Sequence, residues 1–235
     1  MPKFELIGLD ADDTLWHTER HYVEAQKKFA QLLSRYHSAD WVQERLDQTE
    51  NRNIAHYGYG IKAFALSMIE TAVELTEGRV SGADILTLLK EARNMLSRQV
   101  ELIDKVEETV PRLAQSHRLA LITKGDLLDQ ETKIARSGLE KYFEEVEIVS
   151  QKTPEAYARL LSRLNVRPER FLMVGNSLKS DILPVLEIHG HAAHIPGDIT
   201  WQHEMADAPA TGTPGFYSLE DFGQLPELIE KLETL

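Results

Sequence analysis

Two aspartates one residue apart follow the first apolar segment of the chain. Residues 6–15 read LIGLDADDTL. Asp10 comes directly after the four apolar or small residues, and Asp12 follows after one alanine. Two carboxylates held this close repel each other unless a cation or a proton neutralises one of them. The pattern therefore indicates a divalent metal site, one acid kept protonated, or both. The alternative is that residues 10–13 form only a solvated turn or a helix cap.

A second apolar segment also ends in residues that could bind an anion. Thr123 and Lys124 follow the apolar residues 119–122, and a glycine comes next. A hydroxyl beside the free N–H groups of a strand-to-helix turn is a natural cradle for phosphate. Thr123 could equally be a helix cap or an ordinary strand residue, and Lys124 could be solvated at the surface.

Apolar runs that alternate with helical patterns predict the fold class and the place of this chemistry. Four runs predict strands: Phe4–Leu9, Leu119–Ile122, Phe171–Val174 and Ala192–Ile195. Three helical patterns lie between the later runs: Leu127–Ser137, Glu155–Leu164 and Ile182–Ile188. Such alternation is typical of an α/β fold with a mostly parallel sheet that is covered on both faces. Open α/β sheets bind ligands at the carboxyl ends of their strands, where Asp10 and Thr123 are expected.

Residues 17–99 interrupt this alternation with apolar positions at helical spacing. Several amphipathic stripes follow one another, and the clearest lies between Ile61 and Val73. Amphipathic helices with short connections predict a small bundle with its own core. The sequence therefore predicts one domain from residues 1–16 and 100–235, with an all-helical domain of residues 17–99 inserted into it.

Composition and charge exclude several classes of function. The 235 residues include no cysteine, so disulfides and thiolate metal sites are excluded. A net charge of −12 opposes binding to nucleic acid or to anionic membranes. A small phosphorylated substrate remains admissible, because a metal ion and lysines can reverse the local field. The absence of a long apolar stretch and of a signal-peptide pattern predicts a soluble, cytoplasmic protein.

The segment Asp10-Ala11-Asp12-Asp13-Thr14 resembles the first motif, DxDxT, of the haloacid dehalogenase superfamily. In that family the first aspartate attacks phosphorus and becomes an aspartyl phosphate. The second protonates the leaving oxygen and then activates water. The resemblance implies that Asp10 is the nucleophile and Asp12 the general acid and base. The presence of both also favours phosphate chemistry over carbon–halogen chemistry.

Three further segments resemble the remaining motifs of the family in the expected order. Thr123 takes the place of the second motif, and Lys152 takes the place of the third motif's lysine. The usual proline directly after that lysine is replaced by Thr153, and Pro154 follows. The fourth motif, commonly GDSxxxD, reads here GNSLKSD, from Gly175 to Asp181. Asn176 thus replaces an aspartate that usually binds metal, but its carbonyl oxygen can still bind a hard cation.

The resemblance extends over residues 4–196 and implies a Rossmann-like core whose helical insertion is a cap over the active site. It implies Mg²⁺ bound by Asp10, Asp12 (through its main-chain carbonyl), Asn176 and Asp181. The predicted phosphate ligands are Thr123, Lys124 and Lys152, and Lys152 also counts as catalytic.

The function implied is Mg-dependent hydrolysis of a small phosphate ester through an aspartyl phosphate. A phosphomutase and a non-catalytic phospholigand-binding regulatory protein are the alternatives. The sequence leaves the natural substrate and the oligomeric state open.

Overall fold

Six parallel strands form one sheet within the part of the chain that the computed structural model describes, namely residues 3–199, 201, 204–210 and 212–234. The strands are β1 (Leu6–Leu9), β2 (Leu119–Lys124), β3 (Glu145–Val149), β4 (Phe171–Gly175), β5 (His191–His194) and β6 (Phe216–Ser218). Their order is β3-β2-β1-β4-β5-β6, so β1 is central and lies between β2 and β4. The predicted α/β fold with a parallel sheet is confirmed.

Helices alternate with the strands after β2, as predicted, and the described residues hold nine α-helices in all. They are α1 (Glu19–Leu33), α2 (Ala39–Tyr57), α3 (Ile61–Leu75), α4 (Gly82–Ser97), α5 (Val106–Ala114), α6 (Leu127–Ser137), α7 (Pro154–Arg163), α8 (Leu183–Glu187) and α9 (Leu225–Glu233). A π-helical turn, Leu178–Ile182, precedes α8. The sequence pattern had assigned Ile182 to the following helix.

Both faces of the sheet are buried under helices. On one face, alternate residues of the central strands pack with Val110 of α5 and Ile229 of α9. On the other face, the intervening strand residues pack with Leu160 of α7 and Val185 of α8. The central strand β1 is buried along its whole length. A Cβ atom at Gly8 would lie 2.8 Å from both Ile122 and Phe171, so close packing at this point of β1 requires glycine.

The chain divides into two compact units. One comprises the residues up to Glu19, residues 100–124 and the residues from 132 onward, and it contains the sheet. The other comprises residues 20–99 and 125–131. Helices α1 to α4 supply its separate apolar core, centred on residues such as Phe29, Leu46 and Met68. The assignment of these units as catalytic core and cap stays a prediction.

Three elements were not predicted from the sequence: α5, β3 and β6. The β3 strand lies at a sheet edge, and its Glu145 and Glu147 pair with Arg163 instead of being buried. The β6 strand has only three residues. Among the described residues, no helix has the length and the apolar composition needed to cross a membrane.

Candidate active site

The carboxyl ends of β1, β2 and β4 bring the predicted site residues together. Leu9 of β1 pairs with Leu121 of β2 and Val174 of β4. Asp10 continues β1, and its N–H donates to the Val174 carbonyl at 2.9 Å. Because parallel strands end at the same edge, Asp10, Thr123 and the turn after β4 share that edge.

Lys152 joins two carboxylates at the centre of this edge. Its Nζ donates to Asp10 Oδ1 and, at 2.6 Å, to Asp181 Oδ1. The side chains of Lys152 and Asp10 are only 2% and 9% exposed. Charge-assisted hydrogen bonds of this kind are strong, and the burial makes each of them costly to remove.

Burial also sets the proton affinities of this cluster. It raises the pKa of Asp10 to about 7, an effect that the charge of Lys152 opposes and that of Asp181 reinforces. Burial alone would lower the pKa of Lys152, but the two carboxylates raise it above its usual value. The lysine is therefore a permanent cation, and one positive charge balances two acids incompletely.

The π-helical turn Leu178–Ile182 places Asp181 against Gly175, the last residue of β4. Asp181 Oδ2 accepts a hydrogen bond from the Ser177 N–H at 3.0 Å. A Cβ atom at Gly175 would lie 2.2 Å from Asp181 Oδ2. Only glycine at this position leaves room for the carboxylate.

Thr14 connects Asp10 to Asn176, a role that sequence reasoning did not assign. Its hydroxyl lies 3.2 Å from Asp10 Oδ2 and 3.3 Å from Asn176 Oδ1. The Asn176 N–H donates to the same hydroxyl at 3.1 Å. The threonine of the DxDxT pattern was the signal for this role. Asp10 and Asn176 thus present oxygens around one buried hydroxyl.

The donor set at this edge fits Mg²⁺. Asp10, Asp181 and Asn176 offer carboxylate and amide oxygens, the hard ligands that Mg²⁺ prefers. Burial, reinforced by the charge of Asp181, raises the pKa of Asp10, and a bound cation would neutralise the negative charge gathered there. In the part of the chain described, no group of three or more His, Cys, Asp or Glu side chains could hold a metal ion. This is compatible with Mg²⁺, which usually takes one or two carboxylates and keeps several waters.

The side chain of Asp12 belongs to a different set of contacts. Lys133 of α6 donates to both of its carboxylate oxygens, at 2.7 and 2.9 Å. The Trp16 indole N–H and the Thr18 hydroxyl donate to Oδ1 at 2.9 and 2.7 Å. Trp16 directly follows the DADDTL segment, a position that predicts a place near the leaving group. Lys133 was not predicted, because no motif or spacing distinguishes it from other helix lysines.

Asp13 and Glu19 add negative charge beside Asp12. Asp13 adopts a left-handed backbone conformation (φ 59°) and accepts hydrogen bonds from the Thr18 and Glu19 N–H groups at the start of α1. Burial raises the pKa of Asp13 to about 6. Burial, reinforced by the charges of Asp13 and Asp12, raises the pKa of Glu19 to about 7.

The predicted phosphate ligand Lys124 is engaged by an acid in this structure. Thr123 is buried at the end of β2. Lys124 Nζ donates to Ser180 Oγ at 3.0 Å and to the carboxylate of Glu204. Glu204 also accepts from the hydroxyls of Ser177 and Ser180, each at 2.5 Å. Burial alone would raise the pKa of Glu204, but Lys124 and these hydroxyls hold it below its usual value.

Trp201, His203 and Glu204 follow the apolar run Ala192–Ile195, and this position predicts that they lie at the rim of the site. Glu204 makes the contacts just given, and Trp201 is half-buried. His203 lies outside the described residues. The roles assigned to all the site residues stay predictions.

Comparison with known proteins identifies the class that this fold and site define. A family model described as haloacid dehalogenase-like hydrolase matches residues 4–185, and the chain belongs to this family. A haloacid dehalogenase-like family hydrolase from Xanthomonas campestris is 38% identical to it, with a TM-score of 0.89 over 100% of this chain and 98% of that chain.

Two curated relatives carry the same name, glyceraldehyde 3-phosphate phosphatase. The protein from Pyrococcus furiosus is 36% identical over 51% of this chain and 49% of its own length. The protein from Methanothermobacter thermautotrophicus is 27% identical over 49% of this chain and 53% of its own length. The chain thus spans about half the length of the curated relatives that it matches.

Proposed function

We propose that this protein is a Mg²⁺-dependent phosphatase that hydrolyses a small phosphorylated metabolite through an aspartyl phosphate on Asp10. One observation carries the proposal. A buried carboxylate, Asp10, is bound by Lys152 at the carboxyl edge of the sheet, while a second carboxylate two residues on is held by other donors. Family membership and the two relatives named as phosphatases support the same reaction.

The first half-reaction transfers the phosphoryl group to the enzyme. An Asp10 carboxylate oxygen forms a bond to phosphorus while the bond from phosphorus to the ester oxygen breaks. The leaving oxygen takes a proton from Asp12. Lys152 and Thr123 stabilise the equatorial oxygens, and Lys152 also holds Asp10 in line.

The second half-reaction releases phosphate. Asp12, now a carboxylate, takes a proton from water, whose oxygen attacks phosphorus while the bond to Asp10 breaks. Asp10, Asn176 and Asp181, with the main-chain carbonyl of Asp12, would hold Mg²⁺. The ion would supply positive charge beside the phosphate oxygens.

Both curated relatives are named for the hydrolysis of a triose phosphate, so glyceraldehyde 3-phosphate is the first candidate in a substrate panel. The panel includes p-nitrophenyl phosphate and other small phosphate monoesters. We expect hydrolysis that requires added Mg²⁺ and is lost on treatment with EDTA.

Asp10→Asn provides the direct test of the proposal. It keeps the shape of the side chain but removes the nucleophile, so kcat falls by more than about 10⁴-fold. Asp104→Asn, at an exposed position of the same unit, is the matched control and keeps full activity. Binding of phosphorylated ligands without turnover under any metal would instead favour the phospholigand-binding hypothesis. Transfer of the phosphoryl group to an added sugar phosphate would favour the phosphomutase.

A further inference from the structure

We propose that Lys133 is a positioning residue that orients the Asp12 carboxylate for proton transfer. This inference rests on the proposed function, in which Asp12 is the general acid and base. It adds a residue of α6 that lies outside every motif shared with the family.

The contact geometry of Lys133 distinguishes it from an ordinary surface ion pair. Its Nζ donates to Oδ1 of Asp12 at 2.7 Å and to Oδ2 at 2.9 Å. The two side chains are only 17% and 26% exposed. One donor shared by both oxygens fixes the rotation of the carboxylate plane as well as its position.

Trp16 and Thr18 also donate to the Asp12 carboxylate. Trp16 is buried in the core below the sheet edge, and its main-chain carbonyl accepts from the Asp13 N–H at 2.7 Å. Its indole N–H and the Thr18 hydroxyl both reach Oδ1 of Asp12. These two contacts hold one oxygen, and Lys133 then sets the direction of the other.

The two motif aspartates bind different lysines. Lys152 binds Asp10 and Asp181, whereas Lys133 binds Asp12. When Asp12 has given its proton to the leaving oxygen, it becomes the carboxylate that Lys133 binds in this structure. The same carboxylate must then face the attacking water, so its orientation matters in both halves of the reaction.

The role predicts a dependence on the leaving group. An alkyl leaving oxygen is strongly basic and needs a proton as the bond to phosphorus breaks, whereas p-nitrophenolate leaves without one. Misplacing the acid should therefore slow transfer from an alkyl phosphate far more than transfer from p-nitrophenyl phosphate.

The test compares Lys133→Met with the wild type on glycerol phosphate and on p-nitrophenyl phosphate. The quantity measured is the pre-steady-state rate of phosphoenzyme formation, because Asp12 also acts in the later water step. We expect a loss of about 10²-fold with glycerol phosphate, within the range of general-acid contributions, and a loss of less than about 5-fold with p-nitrophenyl phosphate. KM changes little, and Lys133→Arg recovers part of the rate.

Controls separate positioning from stability and from the proposed function itself. Lys231→Met removes an exposed lysine of the same unit and leaves both rates unchanged. In an Asp12→Ala background, Lys133→Met has no further effect on glycerol phosphate. Lys133→Gln replaces Lys133→Met if the latter fails to fold.

Equal losses with both substrates, or none with either, would overturn the positioning role of Lys133 while Asp12→Ala still shows the dependence on the leaving group. If the wild type hydrolyses neither ester, or Asp12→Ala treats the two alike, the proposed function fails and this inference fails with it.

Discussion

Asp10 and Asp12 are separated by a single residue in the sequence but lie in different electrostatic environments. Asp10 is buried, shares Lys152 with Asp181, and has a pKa raised to about 7. The side chain of Asp12 is 26% exposed and accepts from Lys133. Successive side chains of an extended segment alternate in direction, but these two are separated by a full period of two. The turn that follows β1, rather than the strand, therefore sends them to different partners.

One motif can supply two chemical roles because the surroundings of its two aspartates differ. An enzyme that uses two carboxylates needs one as nucleophile and one as acid and base, and the surroundings decide which is which. Asp10 is buried and lies beside a permanent cation, Lys152. Asp12 accepts from several polar donors and is partly accessible to solvent.

Removing each lysine separately should show the largest difference between the two aspartates. Lys152→Met leaves Asp10 and Asp181 buried without their common cation, which should lower the free energy of unfolding by about 3–5 kcal/mol. Lys133→Met removes a partly exposed pair and should cost about 1 kcal/mol or less. Thermal unfolding checks both: for a domain of this size, the expected decreases in Tm are about 10 °C and a few degrees. Equal decreases would show that burial does not distinguish the two sides.

Glu19 tests whether burial and the neighbouring acids, Asp13 and Asp12, raise the pKa of a carboxyl group beside Asp12. Its pKa is raised to about 7 in the folded protein, above the ordinary value of 4.5. Between these two values the folded state holds a proton that the unfolded state has lost. Stability from this group is therefore fully present below pH 4.5 and is lost as the pH rises through 7.

Glu19→Gln should remove this loss of stability at high pH. With EDTA present, we expect the variant to be more stable than the wild type by about 1–3 kcal/mol at pH 8, and equal to it near pH 4.5. Thermal unfolding across this pH range measures the difference, and Glu187→Gln at an exposed position of the same unit is the control. A constant difference at all pH values would contradict the raised pKa.

The smallest expected effect concerns the metal ligands on the Asp10 side. Asn176→Asp restores a negative charge beside Asp10 and should lower the Mg²⁺ concentration for half-maximal activity by about tenfold, or ~1.4 kcal/mol. Calorimetric titration with Mg²⁺ checks the same change without turnover. Asn94→Asp, at an exposed helix position, should change neither value. An unaltered Mg²⁺ demand in Asn176→Asp would remove this position from the ligand set.

Sequence patterns predict the buried, regular elements of this protein. Strands β1, β2 and β4 were predicted because a central parallel strand is apolar along its whole length. The β3 strand carries Glu145 and Glu147 opposite Arg163 at a sheet edge, so its apolar signal is weak. Three residues of β6 are too few to form any pattern.

At the site, too, some features can be predicted from the sequence and others cannot. Asp10, Lys152 and Asp181 lie on motifs at strand ends, and the structure brings them into one cluster. Lys133 lies within a helix and Glu204 lies in the connection after β5, where spacing carries no information about distant partners. Their contacts with Asp12 and Lys124 depend on tertiary structure alone.

The most direct test of the proposed mechanism is to identify the aspartate that carries the phosphoryl group. In Asp12→Ala, a good leaving group such as p-nitrophenolate still departs, but water is no longer activated, so the covalent intermediate should accumulate. After acid quench and proteolysis, mass spectrometry should find one added phosphoryl group on the peptide that contains Asp10, and none in Asp10→Asn. A phosphoryl group on another residue, or none under conditions of turnover, would contradict the division of roles between the two aspartates.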